Sequence, residues 1–580
     1  MFRTMFKSAT GLVAGMGCVF FVLISLASFA QGQDVLTFEQ EVKHSFVKSL
    51  PAVVRVCDYN ERTGDKRPMA SGVVVSEEGL VLTVGHVNVP GKIFYVQFPD
   101  GREARARGLG EITPFDAAMI QIEEGGKYPY VPLGRSGNLP HGQACISLGY
   151  AASFRHSQPT LRLGFVVKQS TPQQATGWRG EGRRGNMRLQ TTCLMEPGDS
   201  GGAVFDLEGM LIGLCSSIQL PLDANLEVPI DVYIEYWDAL KQEEAYTRVP
   251  DSLRKAIPEA GAIKLVQSPI QYSDTSRVMQ AAFDAQQKKA VLINSIQGDS
   301  LIEARGTLVN LGQNRLPGKK TYVLSKSSIV GDMPEVWISQ EEKVVASVLH
   351  REELRDLVLL GMENYIAEGI DLSASGVSVS PSMIGTFVCS PLTGGKNKIS
   401  VVGSTPFSIS GQSKAGFLGA GVQLRDSGVV ISMIANGSPA AAAGLTTDMY
   451  IHKINDQAVE SPGKFTQLVQ RHKPGDKIQL EMAHNDQTFY KEVVLATRPM
   501  ASSNHVAERF EGGKSIIRDG FERVFAHDSR LHPEECGGPL LDLNGNFLGV
   551  NIARISRTGC LAIPVEEIWD FLRNSPLGIN

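Results

Sequence analysis

The 580 residues carry 56 Lys and Arg against 61 Asp and Glu, a net charge of −5, with 42% hydrophobic and 20% charged residues. These proportions exclude a disordered chain and an integral-membrane body, and a mildly acidic balance without long basic tracts offers nothing to nucleic acid. At about 100–200 residues per domain, the chain holds several cores.

At the N-terminus, Arg3 and Lys7 precede an apolar run from Leu12 to Leu26, and Ser28-Phe29-Ala30 supplies small residues for cleavage. Residues 1–30 therefore read as an export signal, with a membrane anchor as the outcome if it is not cleaved. The body is expected outside the cytoplasm, in a periplasmic or extracellular compartment. Of eight cysteines, Cys18 would leave with the signal. The other seven lack any CxxC pair, so no metal site or cofactor is expected, and buried free thiols are preferred over an assigned disulfide pairing.

Residues 38–245 alternate short β-type runs with Gly, Pro, Asn and Asp, as in Val53–Val56, Gly72–Val75, Leu80–Thr83 and Met210–Leu214, and they close with a helical segment near Val232–Lys241. An Arg-rich loop (Arg179, Arg183, Arg184, Arg188) reads as a solvated face. Residues 246–272 form a linker, after which the same features return in the same order. Gly306–Val309 with Tyr322–Ser325 echoes the strands at Gly72 and Leu80. Arg355-Asp356-Leu357 echoes Phe115-Asp116-Ala117, and Glu534–Leu541 echoes Pro197–Val204. The chain thus holds two copies of one mainly β fold. The second spans 273–412 and 500–580, interrupted by an inserted unit at 413–499. Within that unit, Ser461-Pro462 ahead of Phe465, Leu468 and Val469 signals one short helix.

Peptide hydrolysis at neutral pH needs an oxygen nucleophile, a base to take its proton, a carboxylate to orient the base, and donors for the oxyanion. The first copy supplies each. Ser200 lies in Gly198-Asp199-Ser200-Gly201-Gly202, a tight turn whose N–H groups, chiefly those of Gly198 and Ser200, can converge on one oxygen. His86 ends an apolar strand, and Asp116 opens the next apolar run. In this order, with Ser71–Val75, Thr83–His86, Asp116-Ala117-Ala118 and Glu196–Gly202, the segment resembles chymotrypsin-like serine proteases of the HtrA/Deg type. The resemblance implies two double β-barrel modules. It also implies a His86–Asp116–Ser200 triad, an oxyanion hole at Gly198, Asp199 and Ser200, and a specificity segment at Leu194 and Met195 that favours aliphatic residues.

In the second copy, Ser328 falls where His86 was, Asp356 matches Asp116, and Cys536 replaces Ser200. A thiol needs less activation than an alcohol, yet it still needs a base, and Ser328 is none. A degenerate, non-catalytic copy is expected.

Residues 415–498 resemble a PDZ domain through Gly416–Ala420, Ile434–Ala440, Ala443-Gly444-Leu445 and Asp448–Asp456. That likeness implies a carboxylate-binding loop at Phe417, Leu418, Gly419 and Ala420, beside which a C-terminal or extended peptide adds as a strand. The combined expectation is an exported, ATP-independent endopeptidase for unfolded polypeptides. The alternative is a peptide-holding scaffold that does not cut. Proteins of this type are often trimers, and no stretch here secures a homo-oligomer.

Overall fold

The computed structural model describes residues 34–154, 156–169, 187–219, 223–256, 272–311, 319–363, 369–411, 413–425, 428–485, 487–499 and 505–575. The expected export signal at 1–30, most of the expected linker, and Arg179, Arg183 and Arg184 lie outside the described residues.

The described chain opens with a helix over 34–49, which the strand-based reading of this region did not anticipate. Val35, Phe38, Val42 and Phe46 recur every three or four residues, so they share one helical face, and all four are buried. That face joins the two repeats: the Phe38 ring centroid lies 6.4 Å from Phe165 and 5.2 Å from Phe387. Glu39 accepts from the Phe387 N–H at 2.7 Å.

In the first module, six strands close a barrel in the order Glu103–Ile112, Ile93–Gln97, Val53–Tyr59, Lys66–Val74, Leu80–Val84 and Ala117–Ile122, with the last pairing back to the first. A second closed barrel runs Ala203–Phe205, Leu211–Gln219, Ala224–Pro229, Leu189–Thr191, Thr160–Gln169 and Ala144–Gly149. Closure pairs every strand on both sides, and the alternating burial along Glu103–Ile112 shows one face turned inward. Helices Ile230–Glu235 and Trp237–Leu240 end the module where the sequence placed a helical segment.

The second module repeats the plan after an unforeseen helix, Tyr272–Phe283. Its first barrel runs Ala290–Gln297, Asp332–Trp337, Lys343–Glu352, Leu357–Glu363, Lys319–Lys326 and Ser300–Asn310, again closed on itself. The two repeats share a close approach at equivalent strands. A Cβ at Gly72 would lie 2.8 Å from Val81 Cγ1, and one at Gly306 would lie 2.4 Å from Val323 Cγ1, so both positions require glycine.

The second half forms a sheet in the order Lys398–Val401, Phe387–Ser390, Pro539–Asp542, Phe547–Ser556, Gly559–Pro564, Phe521–His527 and Phe407–Ile409. The counterpart of Thr160–Gln169 is split here into Lys398–Val401 and Phe407–Ile409. The inserted unit leaves after the second piece, at the position of the first module's Arg-rich loop.

That insertion is a sheet of Ala420–Arg425, Gly428–Ile434, Tyr450–Ile454, Lys477–His484 and Gln487–Val494, with the helix Pro462–Gln470 where the sequence put it. The Ser461 hydroxyl accepts from the Lys464 N–H at 3.1 Å, capping that helix. Its core, including Leu418, Ile431, Phe465, Leu468, Ile478 and Leu480, is separate from that of the modules. By contrast, one continuous core links the two modules through the 34–49 helix.

Candidate active site

His86 sits in the 3-10 turn Gly85–Val87 that ends the strand Leu80–Val84, and Asp116 directly precedes Ala117–Ile122. Those strands pair with Val84 opposite Ala117, so the ladder register brings the two side chains to the same end. Asp116 turns the corner at φ 59°, a left-handed conformation that Asp tolerates better than most residues. Its carboxylate accepts from the His86 N–H at 2.9 Å and from His86 Nδ1 at 3.1 Å. On the opposite edge of the imidazole, Nε2 lies 3.0 Å from Ser200 Oγ. With Nδ1 donating to the carboxylate, Nε2 is left to accept the serine proton.

The hydrogen bond to Asp116 raises the His86 pKa above its ordinary value, against the opposing effect of burial. Burial pushes the Asp116 carboxyl up, but hydrogen bonds and charge from His86, with a hydrogen bond from Ser216, outweigh it and the net shift is downward. Ser216 Oγ donates to Asp116 Oδ2 at 2.6 Å. The carboxylate is therefore held ionised beside an imidazole that half faces solvent.

The turn that carries Ser200 is fixed from three sides. Gly198 adopts φ 98° and Gly201 φ 78°. A Cβ would lie 2.4 Å from the Tyr150 carbonyl at Gly198 and 2.2 Å from the Ser71 carbonyl at Gly201. The Pro197 carbonyl accepts from the Ala152 N–H at 2.9 Å, and the Ser71 hydroxyl donates to the Gly198 carbonyl at 2.8 Å. Among the described residues neither the Gly198 nor the Ser200 N–H has a protein acceptor.

The Asp199 side chain turns inward, where Arg162 donates to it at 2.8 Å with both side chains about fully buried. Met195 packs with Cys145, Cys193, Val204 and Ile212 inside the barrel, whereas Leu194 is partly exposed. A cleft of about 290 Å³ lined by Met69, Tyr150, Ala151 and Gly198 adjoins the turn.

The second module keeps the same corner with different chemistry. Asp356 adopts φ 54° and accepts from the Ser328 N–H at 2.7 Å, as Asp116 does from His86. Where Val84 stands in the first module, Lys326 stands here, and its Nζ donates to Asp356 at 2.6 Å and to the Ile517 carbonyl at 2.9 Å. The ammonium is 1% exposed and neutralises the carboxylate that an imidazole would otherwise face.

Cys536 is fully buried, and burial pushes its thiol up to about 11 despite the nearby Lys326. The counterpart of Gly198 is Glu534, which lies in the 3-10 turn Pro533–Glu535 rather than at positive φ. Segment 514–518 packs against Cys536: Ser515 Oγ is 4.0 Å from Cys536 Sγ, and the Ser515 N–H donates to the Arg554 carbonyl at 2.9 Å. Lys326→Met would leave the buried Asp356 carboxylate without its ammonium partner, so a loss of about 3–5 kcal/mol is expected in the urea unfolding of this module. Adding Asp356→Asn, which removes the charge and tolerates positive φ, recovers most of it.

In the inserted unit, Gly419 takes φ 79°, and a Cβ there would lie 2.2 Å from Ser438 Cβ. Leu418 is buried, and Phe417 carries the Arg498 guanidinium 5.1 Å from its ring centroid. Ala420–Arg425 is the first strand of its sheet and pairs with Gly428–Ile434, leaving its other edge open among the described residues.

Sequence reasoning missed Ser216, Arg188 and Arg162. Arg188, expected on a solvated face, instead donates to the Phe115 carbonyl at 3.0 Å and is part-buried behind Asp116, a correction that follows from the corner's need for a donor. Ser216 had a weak signal, a hydroxyl residue within an apolar strand. The seven cysteines of the described residues are free and buried, as the preferred reading had it.

A trypsin-like peptidase domain model matches residues 70–214, and a PDZ domain model matches 416–494. A probable periplasmic serine endoprotease DegP-like from Ectopseudomonas mendocina is 24% identical over 431 residues, covering 73% of this chain and 79% of that one. The serine protease HTRA1A of Danio rerio is 30% identical over 198 residues, 33% of this chain and 40% of that one. The solved structure of an HtrA-type protease AlgW with decapeptide is 15% identical, covering 79% of this chain and 99% of that one at a TM-score of 0.29, too low an overlap to bear on domain arrangement. The chain thus carries a trypsin-like peptidase domain and a PDZ domain, and over most of its length it is similar to DegP-like serine endoproteases.

Proposed function

We propose that the first module is an exported, ATP-independent endopeptidase that cleaves unfolded or partly unfolded polypeptides, with His86, Asp116 and Ser200 as its catalytic residues. The observation that carries this reading is the continuous contact from Asp116 through His86 to Ser200 Oγ at 3.0 Å. His86 Nε2 takes the hydroxyl proton as Ser200 attacks the carbonyl carbon. The Gly198 and Ser200 N–H groups then receive the oxyanion, and His86 returns its proton to the leaving amine. Water repeats the sequence to release the acyl group. Export is supported by the basic-then-apolar N-terminus and by relatives named as periplasmic endoproteases.

The PDZ domain holds a C-terminal or extended segment along Ala420–Arg425, with its carboxylate on the loop around Gly419. The second module is non-catalytic, since its Asp faces a buried ammonium and its thiol is covered.

The test is covalent labelling of the full chain by a fluorophosphonate. Labelling of the wild type that disappears with Ser200→Ala supports the reading. An unlabelled protein that still binds a hydrophobic C-terminal peptide refutes it in favour of a holding scaffold. In the same samples, Gly419→Val is expected to weaken that peptide by about tenfold or more, as measured by fluorescence anisotropy, because the new side chain displaces the loop from Ser438.

A further inference from the structure

The hairpin tip between strands Phe547–Ser556 and Gly559–Pro564 belongs to the second module, yet it ends under the first module's nucleophile turn. Arg557 at that tip is 3% exposed. Its Nη1 donates to the Met195 carbonyl at 2.8 Å and to Asn225 Oδ1 at 3.1 Å. Asn225 Oδ1 also accepts from the Met195 N–H at 3.3 Å, so both polar groups of the Met195 backbone are tied through one arrangement. Glu196 follows at once, buried, bonded through its carboxylate to Ser153 and through its N–H to Asp199 at 2.9 Å.

Asp199 precedes the nucleophile and pairs with Arg162. The turn therefore rests on a buried cluster of two guanidinium and two carboxylate groups, one of whose cations comes from the other module. The interface has further contacts: Asp528 of the second module accepts from the Leu163 N–H at 3.0 Å, and the Phe407 ring lies 4.5 Å from His156.

We infer that the second module is an internal positioning element for the first, acting through Arg557, which holds the Met195–Ser200 segment so that the Gly198 and Ser200 N–H groups and the Ser200 hydroxyl stay aligned for reaction. The inference rests on the serine-peptidase reading above. Loss of a second catalytic centre and retention of its fold are then compatible, because the retained fold supplies a support to the working one. Arg557 is a positioning residue, since it touches the backbone of the turn and not the reacting atoms.

The experiment compares full-length wild type, Arg557→Ala, Arg557→Gln, Arg557→Lys and Phe407→Ala. The readouts are the fluorophosphonate labelling rate at Ser200, kcat and KM on an unfolded model protein, and the melting midpoint. Displacing a reacting group by about 1 Å costs on the order of 100-fold. Arg557→Ala and Arg557→Gln are accordingly expected to lower the labelling rate and kcat by between about 10- and 100-fold with KM nearly unchanged. Arg557→Lys restores most of the rate, since one ammonium can reach both oxygens. Phe407→Ala, which loosens the module contact at His156 rather than at Arg557, lowers the melting midpoint but not the labelling rate.

Wild-type labelling rates in the alanine and glutamine variants would overturn the inference, as would equal rate losses in Phe407→Ala at equal loss of stability. If Arg557→Ala does not fold, the glutamine and lysine variants carry the same comparison. A wild type that does not label at all removes the peptidase reading and this inference together, whereas a wild type that labels and is indifferent to Arg557 removes only the inference.

Discussion

Ser200→Ala is expected to lower hydrolysis of an unfolded model protein by about six orders of magnitude, and His86→Ala by a similar factor, with the double replacement no worse than either. The reason is that in the proposed mechanism the hydroxyl and the imidazole act as one unit across the 3.0 Å contact, so removing either forfeits the same transition-state interaction. What remains is the rate supplied by the oxyanion donors and binding, about 10³–10⁴ over water. Initial rates from purified variants, with Cys536→Ala in parallel, provide the measurement. Cys536→Ala is expected to cut at the wild-type rate. Activity that survives Ser200→Ala and vanishes with Cys536→Ala would place catalysis in the second module.

Asp116→Asn is expected to lower kcat by about four orders of magnitude, and to move the acid limb of the pH–rate profile to lower pH. The sign follows from the causes of the His86 shift. The hydrogen bond to Asp116 is the largest of them and raises the pKa, and its charge adds to this, while burial opposes both. The proposed mechanism requires neutral His86, so in the wild type the rate is expected to fall as pH drops through a pKa above the ordinary imidazole value. An asparagine removes both raising effects of Asp116 and leaves burial opposed only by the Glu111 charge, the smallest of the causes, so the imidazole stays neutral to lower pH even as the rate collapses. The collapse has a separate origin: the amide can present N–H to Nδ1, which puts the proton on the wrong nitrogen. A pH–kcat/KM profile of the two proteins decides it, and an acid limb that does not move, or moves upward, would contradict the role given to Asp116.

Much of the architecture was legible because backbone chemistry leaves marks in sequence. The repeat was readable at Gly72 and Gly306, where a neighbouring valine permits no Cβ, and at Asp116 and Asp356, where the chain turns through positive φ. The inserted helix was readable from Ser461 and Pro462, a cap and a first-turn proline. The helices over 34–49 and Tyr272–Phe283 were not read, although the first has clear amphipathic spacing, because short apolar runs in a β-rich context resemble strands until their three- and four-residue period is tested. Ser216 and Arg188 escaped for a different reason. Each acts on Asp116 or its neighbour from a residue at least 73 positions away in sequence, and local pattern carries no trace of such a partner.

The sequence by itself determined which chemistry each module can offer: an imidazole and a hydroxyl in the first, a serine and a cysteine in their places in the second, and a glycine-bearing loop in the insertion. What those groups face was settled by the packing of the whole chain. That packing placed the Lys326 ammonium against Asp356, set residues 514–518 against Cys536, and brought Arg557 across a module boundary to the backbone beneath Ser200. Residue types follow from covalent identity, but charge pairing and burial follow from which distant strands the closed barrels bring together, and those contacts are set by packing over the whole chain.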